Sequence, residues 1–334
     1  MSSSDSSTKM SYRFLGNSGL LVSKLSLGAW MQYKEENTVD AWYEMMKTAF
    51  KHGVNFFDTS EMYANGHAEK LQGGAVNKGI IQGVWSREDL DQTTKGSVVE
   101  GTKASLRRME LDYVDVLFCH RPDPHTPIEE TVRAMNYVIE QGWAFYWGTS
   151  EWLPSDFIEA CEIADRLGLI RPIVEQAQYN ILHRSRVEFN YVDLYKKYKL
   201  GLTTWSPLAY GTLTGKYSSG TPEGSRYTSP MYQEGALRNN FEQRIATADK
   251  LKPIAAEIGC SLAQMAIAWV VSNENVSTAL VGASRPSQLE ENLKALEFVD
   301  KITPEVKAQI DDIVNFVPTA ATMDTFAYVR DRHL

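Results

Sequence analysis

The sequence predicts an α/β fold of the (β/α)8 TIM-barrel class, preceded by a short N-terminal β-hairpin. Apolar runs of strand length alternate with helical patterns along most of the chain. They make eight strand-then-helix units, the number that a closed barrel requires. No glycine-rich dinucleotide fingerprint follows the first strand, which counts against a doubly wound open sheet, the alternative fold.

The composition and charge of the chain argue against some classes of function. Of its 334 residues 43% are hydrophobic, so a large core is available, while a net charge of -8 argues against a nucleic-acid surface. The three cysteines are odd in number and widely spaced, which is typical of a reducing compartment. No apolar run approaches the length of a membrane span, so we expect a cytoplasmic protein without direct membrane insertion. We expect residues 1–11 to be disordered, residues 12–320 to form the barrel and residues 321–334 to form a tail.

Turn sequences and helix-capping residues predict the first strands and the first helix of the chain. Residues 12–22 predict the hairpin, because two apolar segments flank the turn sequence GNSG. Residues 25–27 predict the first barrel strand. Residues 38–51 carry apolar side chains at helical spacing, with Thr38 as N-cap and a glycine just past the end. The apolar run after that glycine predicts a buried strand ending at Asp58.

The middle of the chain repeats this alternation. Asp89–Thr94 is a weak strand because it is polar, whereas Val114–Cys119 is strongly apolar. Thr126 and Pro127 form an N-cap and first-turn pair for the next helix. Further strands are predicted at residues 143–147, 173–175 and 202–205, and further helices at residues 67–82, 97–109, 155–167 and 187–198.

The C-terminal part completes the pattern. Helices are predicted at residues 241–258 and 261–272, a strand at residues 277–281, and a final helix opened by Pro286. Residues 211–240 are rich in Gly, Ser and Tyr and predict an irregular loop. Loops of that length are usually functional.

The barrel prediction also locates a site, because active sites in this fold lie at the C-terminal ends of the strands. Polar groups and backbone from different strands would therefore converge in one mouth. The residues predicted there are Asp58, Lys95, His120, Ser150, Gln176, Trp205, Ser206 and Gly282.

Four of the side chains near that mouth suggest a chemistry. The phenol of Tyr63 can donate a proton to a carbonyl oxygen, and a neighbouring Lys95 cation would lower the pKa of the phenol. Asp58 would hold Lys95 charged, and His120 would orient the substrate carbonyl. No side chain supplies a hydride, so a nicotinamide cofactor and a small carbonyl substrate are implied.

Eight stretches together identify a family. They are LSLGAW at 25–30, FFDTSEMYANG at 56–66, VEGTKASLRRM at 99–109, YVDVLFCHRPDPHTPIEETVRAMNYVIEQG at 113–142, YWGTSEW at 146–152, EQAQYN at 175–180, TTWSPLAYGTLTGKY at 203–217 and LVGASRPSQLEENL at 280–293. On these motifs the chain resembles the aldo-keto reductase superfamily, and within it the voltage-gated potassium channel β-subunit-like branch. The resemblance runs from about Tyr12 to Phe316.

The resemblance implies NADP(H)-dependent reduction of aldehydes or ketones on a (β/α)8 barrel. It makes Tyr63 the general acid, supported by Asp58, Lys95 and His120. Channel-subunit members usually have Asn at the position of His120, so in this respect the chain is more similar to an ordinary reductase.

The resemblance also implies cofactor contacts. Ser150 and Gln176 would bind the nicotinamide amide, residues 205–210 with Lys216 would line the pyrophosphate, and Arg226 would belong to the loop that folds over it. The helix N-terminus at the adenosine end suits a 2'-phosphate. The complete implied set is Gly28, Ala29, Trp30, Asp58, Ser150, Glu151, Gln176, Trp205, Ser206, Pro207, Leu208, Ala209, Tyr210, Lys216, Arg226, Gly282, Ser284, Gln288, Glu291 and Asn292.

Two stretches depart from the family pattern. The connection after Lys95 is shorter than in relatives, and the strand before it reads DLDQTTK, in which an unpaired Asp91 would destabilise the barrel. Lys95 is assigned by its Thr-Thr-Lys match, and the alternative, Lys103, lies within a helix. The segment KEEN at 34–37 stands where relatives carry glycines and a glutamine close to the cofactor.

A second functional hypothesis is a nucleotide-binding redox sensor with little or no turnover, associated with a channel α-subunit. The short connection after Lys95 favours this hypothesis, and His120 opposes it. The same branch implies a homo-tetramer. His120, Asp123 and His125 are close in sequence, but no second cluster completes a ligand set, so we predict no metal.

Overall fold

Eight parallel strands close into a barrel in the computed structural model, which describes residues 10–30, 37–96, 98–233, 237–324 and 328. Each strand pairs with its neighbour in the sequence, and the last pairs with both the first and the seventh. The strands are β3 (Leu25–Gly28), β4 (Phe56–Asp58), β5 (Asp91–Gly96), β6 (Val114–Cys119), β7 (Ala144–Ser150), β8 (Val174–Gln178), β9 (Gly201–Trp205) and β10 (Val276–Val281). The predicted barrel is confirmed, and the alternative open sheet is wrong.

α-Helices connect these strands and cover the outside of the barrel. They are α1 (Val39–Lys51), α2 (His67–Ile81), α3 (Val99–Met109), α4 (Ile128–Glu140), α5 (Pro154–Leu167), α6 (Val192–Tyr198), α7 (Phe241–Ile258), α8 (Leu262–Val271), α9 (Pro286–Leu293) and α10 (Pro304–Val314). The predicted helix at 187–198 is instead a π-helical turn, Arg186–Asn190, followed by the shorter α6. Within the described ranges, none of these helices alone is both long and apolar enough to cross a membrane, whereas α7 and α8 taken together, bent by 83°, meet those two criteria.

The predicted N-terminal hairpin is present and packs against one end of the barrel. Its strands, β1 (Tyr12–Phe14) and β2 (Leu21–Ser23), are antiparallel. Arg13 donates to the carbonyl of Val276, where β10 begins, at 2.5 Å. Leu15 and Val22 are completely buried in an apolar cluster with residues of the barrel strands. The hairpin therefore closes the N-terminal end of the barrel, and the C-terminal ends of the strands remain as the site.

Strand β5 is displaced from its predicted position by two residues and is polar for a structural reason. The Thr94 hydroxyl donates to Glu69 of α2 at 2.6 Å, and Gln92 accepts from Gln72 of the same helix at 2.8 Å. The expectation of an unpaired Asp91 is wrong, because the Asn55 amide donates to its carboxylate at 3.1 Å. A polar helix face therefore replaces the apolar contacts that β5 would otherwise need.

Residues 211–240 contain short 3-10 turns but no α-helix or strand in their described part, as predicted. Several aromatic residues of this loop pack against one another and against the start of α7: Tyr217, Tyr227, Tyr232 and Phe241. The predicted disorder of residues 1–11 concerns a segment mostly outside the described residues, as does the KEEN segment apart from Asn37.

Candidate active site

Four strand ends and turns bring the predicted catalytic side chains together. Asp58 ends β4, Lys95 is the penultimate residue of β5, and His120 directly follows β6. Tyr63 begins a 3-10 turn shortly after β4, and the next residue, Ala64, has a left-handed φ of 48°. Non-glycine residues in this region are strained and concentrate at functional sites.

Lys95 and Asp58 form a buried ion pair. The Lys95 Nζ donates to Asp58 Oδ2 at 2.5 Å and to Gln176 Oε1 at 2.7 Å. The other oxygen of Asp58 accepts from Thr93 at 3.0 Å and from the Gln176 amide at 3.1 Å. Lys95 is 1% exposed and Asp58 2% exposed. Since each charge is paired and hydrogen-bonded, the protein can bury both.

Tyr63 lies beside both this pair and His120. The Lys95 Nζ is 5.4 Å from the centre of the Tyr63 ring, and the His120 ring meets it edge-on at 6.1 Å. The alternative lysine, Lys103, lies instead over the Trp143 ring at 4.8 Å. The structure therefore brings Lys95, and not Lys103, to the phenol.

The pKa shifts in the site differ from those expected. Burial and the Asp58 carboxylate raise the pKa of Tyr63, so the expected lowering of this pKa by Lys95 is wrong. The positive charge of Lys95 is balanced by the Asp58 carboxylate with which it pairs. Burial lowers the pKa of Lys95, with Asp58 opposing this effect. Burial, then Arg121 and Lys95, lowers the pKa of His120 well below its usual range, so this imidazole is neutral.

Arg121 is a site residue that the sequence reasoning missed. Its Nη1 donates to the carbonyl of His120 at 2.6 Å and to Ser150 Oγ at 2.9 Å. Its charge opposes the rise in the pKa of Tyr63. The signal was present, because Arg121 directly follows His120 in the motif CHRPDP.

The residues predicted to contact the nicotinamide, and Glu151 beside them, form hydrogen bonds and an ion pair with other protein groups. The Ser150 Oγ donates to the carbonyl of Gln176 at 3.0 Å. The Glu151 carboxylate accepts from the Gln178 amide at 2.6 Å and from the Trp205 indole at 3.0 Å, and it pairs with Arg186 at 3.1 Å. Glu151 thus positions Trp205, a role that the sequence did not indicate.

The segment from Trp205 to Lys216 has an unusual backbone. Ser206, Ala209 and Tyr210 have φ values of 57°, 46° and 59°, and Gly211 has a φ of 96°. The Ser206 hydroxyl accepts from the Tyr210 amide at 3.0 Å and holds the turn closed. Strain of this kind at the end of a barrel strand is typical of a ligand-binding turn. Pro207 and Leu208 lie within the same turn.

Aromatic rings and cations lie beside this turn. The centre of the Trp30 ring lies 5.8 Å from that of Trp205, 5.9 Å from that of Tyr210 and 6.4 Å from that of Tyr63. The Arg226 guanidinium is 5.8 Å from the centre of the Trp30 ring. Burial lowers the pKa of Lys216, and the charge of the nearby Arg226 lowers it further.

The remaining predicted contacts form two groups. Gly282 faces the backbone carbonyls of Gly28 and Trp30, and a Cβ on Gly282 would lie 3.9 Å from each carbonyl oxygen. Ala29 lies between Gly28 and Trp30 in the sequence. At the predicted adenosine end, Gln288 accepts from the Ser284 hydroxyl at 3.0 Å, and Glu291 accepts from Gln264 of α8 at 2.8 Å.

Three features of the cleft fit NADP(H). Asn292 is 4% exposed, yet its Nδ2 has no hydrogen-bond partner among the described residues. Lys216 and Arg226 form no ion pair with a carboxylate in the described ranges, which suits a bound phosphate. The strained turn at Ser206 exposes backbone groups at the end of β9. In the part of the chain described, no group of three or more His, Cys, Asp or Glu side chains is arranged for a metal ion, and the absence of a metal stays a prediction.

Comparison with known proteins agrees with the motifs. The family model described as "Aldo/keto reductase family" matches residues 24–315. An Arabidopsis thaliana protein named "Probable voltage-gated potassium channel subunit beta" is 48% identical, over 92% of this chain and 98% of its own length. An Oryza sativa subsp. japonica protein of the same name is 46% identical over the same shares.

Proposed function

The chain belongs to the aldo/keto reductase family, and from this premise we propose that it is an NADP(H)-dependent oxidoreductase that reduces aldehydes or ketones to alcohols. The observation that carries the proposal is the position of Tyr63 beside both the Lys95–Asp58 pair and a neutral His120. When bound, the cofactor supplies the hydride.

Tyr63 is the proton donor in this proposal. Its raised pKa keeps the phenol protonated at neutral pH, so it carries the proton that the substrate oxygen needs. Lys95 places its ammonium 5.4 Å from the centre of the ring, and the charge of Arg121 is the one that opposes the rise in the pKa of the phenol.

His120 orients the carbonyl. Its Nδ1 lies 3.2 Å from the Ser60 hydroxyl. The Ser60 hydroxyl has one proton and two acceptors, the Lys95 carbonyl at 3.0 Å and His120 Nδ1. When this proton goes to Nδ1, the neutral ring carries its own proton on Nε2, which can then donate to a carbonyl oxygen. The low pKa of His120 keeps the ring from competing with Tyr63 as the acid.

The cofactor would be held by the groups that fit it. Residues 205–210, with Lys216 and Arg226, would bind the pyrophosphate, and Asn292 would use its unpartnered Nδ2 at the adenosine end. The N-terminus of α9 at Pro286, with Arg285 beside it, suits a 2'-phosphate. We therefore propose NADPH in preference to NADH.

The test is NADPH oxidation with 4-nitrobenzaldehyde. Tyr63→Phe should lower kcat/KM by roughly 10²–10⁴-fold, the usual contribution of a general acid, while retaining NADPH binding measured by tryptophan quenching. Tyr137→Phe is the matched control, because Tyr137 is exposed on α4. A Tyr63→Phe protein with normal turnover would refute the proposed proton donor.

A second candidate function is that of a channel subunit, favoured by the names of the two plant relatives. The connection between β5 and α3 comprises only residues 97 and 98, which suits a protein with little turnover. Under this proposal the barrel forms a homo-tetramer, binds a channel α-subunit in the cytoplasm, and responds to the redox state of the nucleotide. A stable complex with a potassium channel α-subunit, combined with no measurable reduction of aldehydes, would favour this function over the first.

A further inference from the structure

Arg121 lies at the mouth of the site, beside the groups that handle the proton. Its side chain is 20% exposed, and one guanidinium nitrogen is held by the His120 carbonyl and by Ser150. Its charge acts on the pKa values of Tyr63, Lys95 and His120. An arginine that bonds both the His120 carbonyl and Ser150 is within reach of a substrate held at His120.

The charges around the mouth single out Arg121. Lys95 is neutralised by Asp58, and His120 is neutral. Lys216 and Arg226 lie beside the strained turn, where the cofactor phosphates would bind, so Arg121 is the cation next to His120 and Ser150 in the described part of this mouth. Its own carboxylate contact is Asp324, whose Oδ1 lies 3.3 Å from the Arg121 Nε.

Asp324 reaches Arg121 on the segment that follows α10. The Thr319 amide donates to Ser185 Oγ at 3.1 Å, and the Thr322 carbonyl accepts from Arg186 at 2.8 Å. These contacts guide the segment across the outside of the barrel towards the mouth. At its end, Asp324 makes one long bond to Arg121 and not a bidentate pair, so its hold on the guanidinium is weak.

We propose that Arg121 binds a carboxylate carried by the carbonyl substrate, and that Asp324 occupies this position until the substrate carboxylate displaces it. The inference rests on the proposed reductase function and names the substrate class. A guanidinium binds a planar carboxylate through paired N–H donors, which Lys or a neutral side chain does not offer. Because Arg121 adjoins His120, the substrate carboxylate lies within a few atoms of the carbonyl.

The experiment compares 2- and 4-carboxybenzaldehyde with their methyl esters. The ratio of kcat/KM for acid over ester is measured in the wild type, Arg121→Gln, Arg121→Lys and Asp324→Asn. Within each protein the ester cancels any effect on Tyr63 or on the cofactor. We expect Arg121→Gln to lower the ratio by roughly 10- to 100-fold, the loss of a charge-assisted bond, with partial recovery in Arg121→Lys.

Asp324→Asn should raise the same ratio several-fold, through a lower KM for the acid, because the competing carboxylate is gone. Asp312→Asn removes an equal charge from an exposed position on α10 and should leave the ratio at the wild-type value. A ratio that is the same in the wild type and Arg121→Gln would overturn the inference and leave Arg121 as an anchor for the C-terminal segment.

A binding measurement separates this inference from the reductase proposal. Benzoate and benzamide are titrated into the full chain in the presence of NADPH, with tryptophan fluorescence as the signal, since Trp30 and Trp205 lie in the cleft. If no aldehyde is reduced, the proposed function fails, but tighter binding of benzoate that Arg121→Gln abolishes still supports the carboxylate site. Equal binding of benzoate and benzamide overturns it.

Discussion

At the scale of single residues, the bond between Lys95 and Asp58 determines both chemistry and stability. Lys95→Met should lower the free energy of unfolding by about 3–5 kcal/mol, because it leaves the Asp58 carboxylate buried without its cation. Turnover should be lost as well. Urea denaturation and NADPH oxidation measure the two effects.

Lys103→Met is the matched control for that substitution. Lys103 lies over the Trp143 ring on the outside of the barrel, so its loss should cost under about 1 kcal/mol and leave turnover intact. If the two variants behaved alike, the assignment of Lys95 to the site would be wrong.

Asp91, at the opposite end of β5, should make the stability of the protein depend on pH. Burial, reinforced by Asp115 and opposed by Arg87, raises the pKa of Asp91 to about 7. The folded state therefore holds a proton that the unfolded state releases near pH 4, and stability falls as pH rises from about 4 to about 7. Asp91→Asn should stabilise the protein by about 2 kcal/mol at pH 8 and have little effect near pH 4.

Thermal unfolding at a series of pH values measures this difference. Asp112→Asn, which removes a carboxylate from an exposed position, is the control. A wild type and an Asp91→Asn protein whose stabilities differ by the same amount at pH 4 and pH 8 would contradict the prediction.

The strand-end residues were predictable because strand order dictates where they lie. Asp58 and His120 could be placed in one mouth from the order of residues alone, since both follow strongly apolar runs. The Gln176 amide between Lys95 and Asp58 could not be foreseen, because a hydrogen bond between side chains 81 positions apart leaves no pattern in the sequence. The predicted direction of the Tyr63 pKa shift was wrong because burial, its largest cause, could not be read from a residue in a turn.

At the scale of elements, α2 and α3 pack unusually closely, and this contact supports β5. A Cβ on Gly73 of α2 would lie 1.9 Å from the carbonyl oxygen of Met109 in α3. One turn earlier, Glu69 accepts from Thr94 of β5, and Gln72, directly before Gly73, donates to Gln92. The distance between the two helices therefore controls the strand that carries Lys95.

Gly73→Ala should lower the free energy of unfolding by about 3 kcal/mol, although alanine favours a helix, because the two helices must separate. Gly74→Ala is the control in the same helix. The nearest atom to a Cβ there is in the side chain of Val39, at 2.9 Å, and not in a backbone, so the cost should be clearly smaller than at Gly73. Denaturant unfolding compares the two, and equal costs would contradict this account of the contact.

Element boundaries were less predictable than element types. The weak strand was expected at 89–94 and lies at Asp91–Gly96, because polar partners on α2 stabilise residues that look unlike a strand. The π-helical turn at Arg186–Asn190 was also missed. It places Arg186 between Glu151 and the carbonyl of Thr322, a tertiary requirement that periodicity does not show.

At the scale of the whole molecule, an acidic chain places two neighbouring cations at one cleft. With a net charge of -8 overall, it holds Lys216 and Arg226 together beside the strained turn. NADPH at 100 times its Kd should therefore stabilise the fold by about 2.7 kcal/mol. NADH at the same concentration should stabilise it less, because it lacks the 2'-phosphate. Calorimetry in low salt measures both, and equal shifts in Tm would count against NADPH preference.

The seam between β10 and β3 has a consequence during synthesis. The last strand of the barrel pairs with the first across about 250 positions of sequence, and until it arrives β3 and β9 each present an open edge. As long as residue 276 is still inside the ribosome, the nascent chain exposes two strands whose edges have unpaired backbone N–H and C=O groups. Stalled or truncated chains of this protein should depend on chaperones, whereas the finished polypeptide should not.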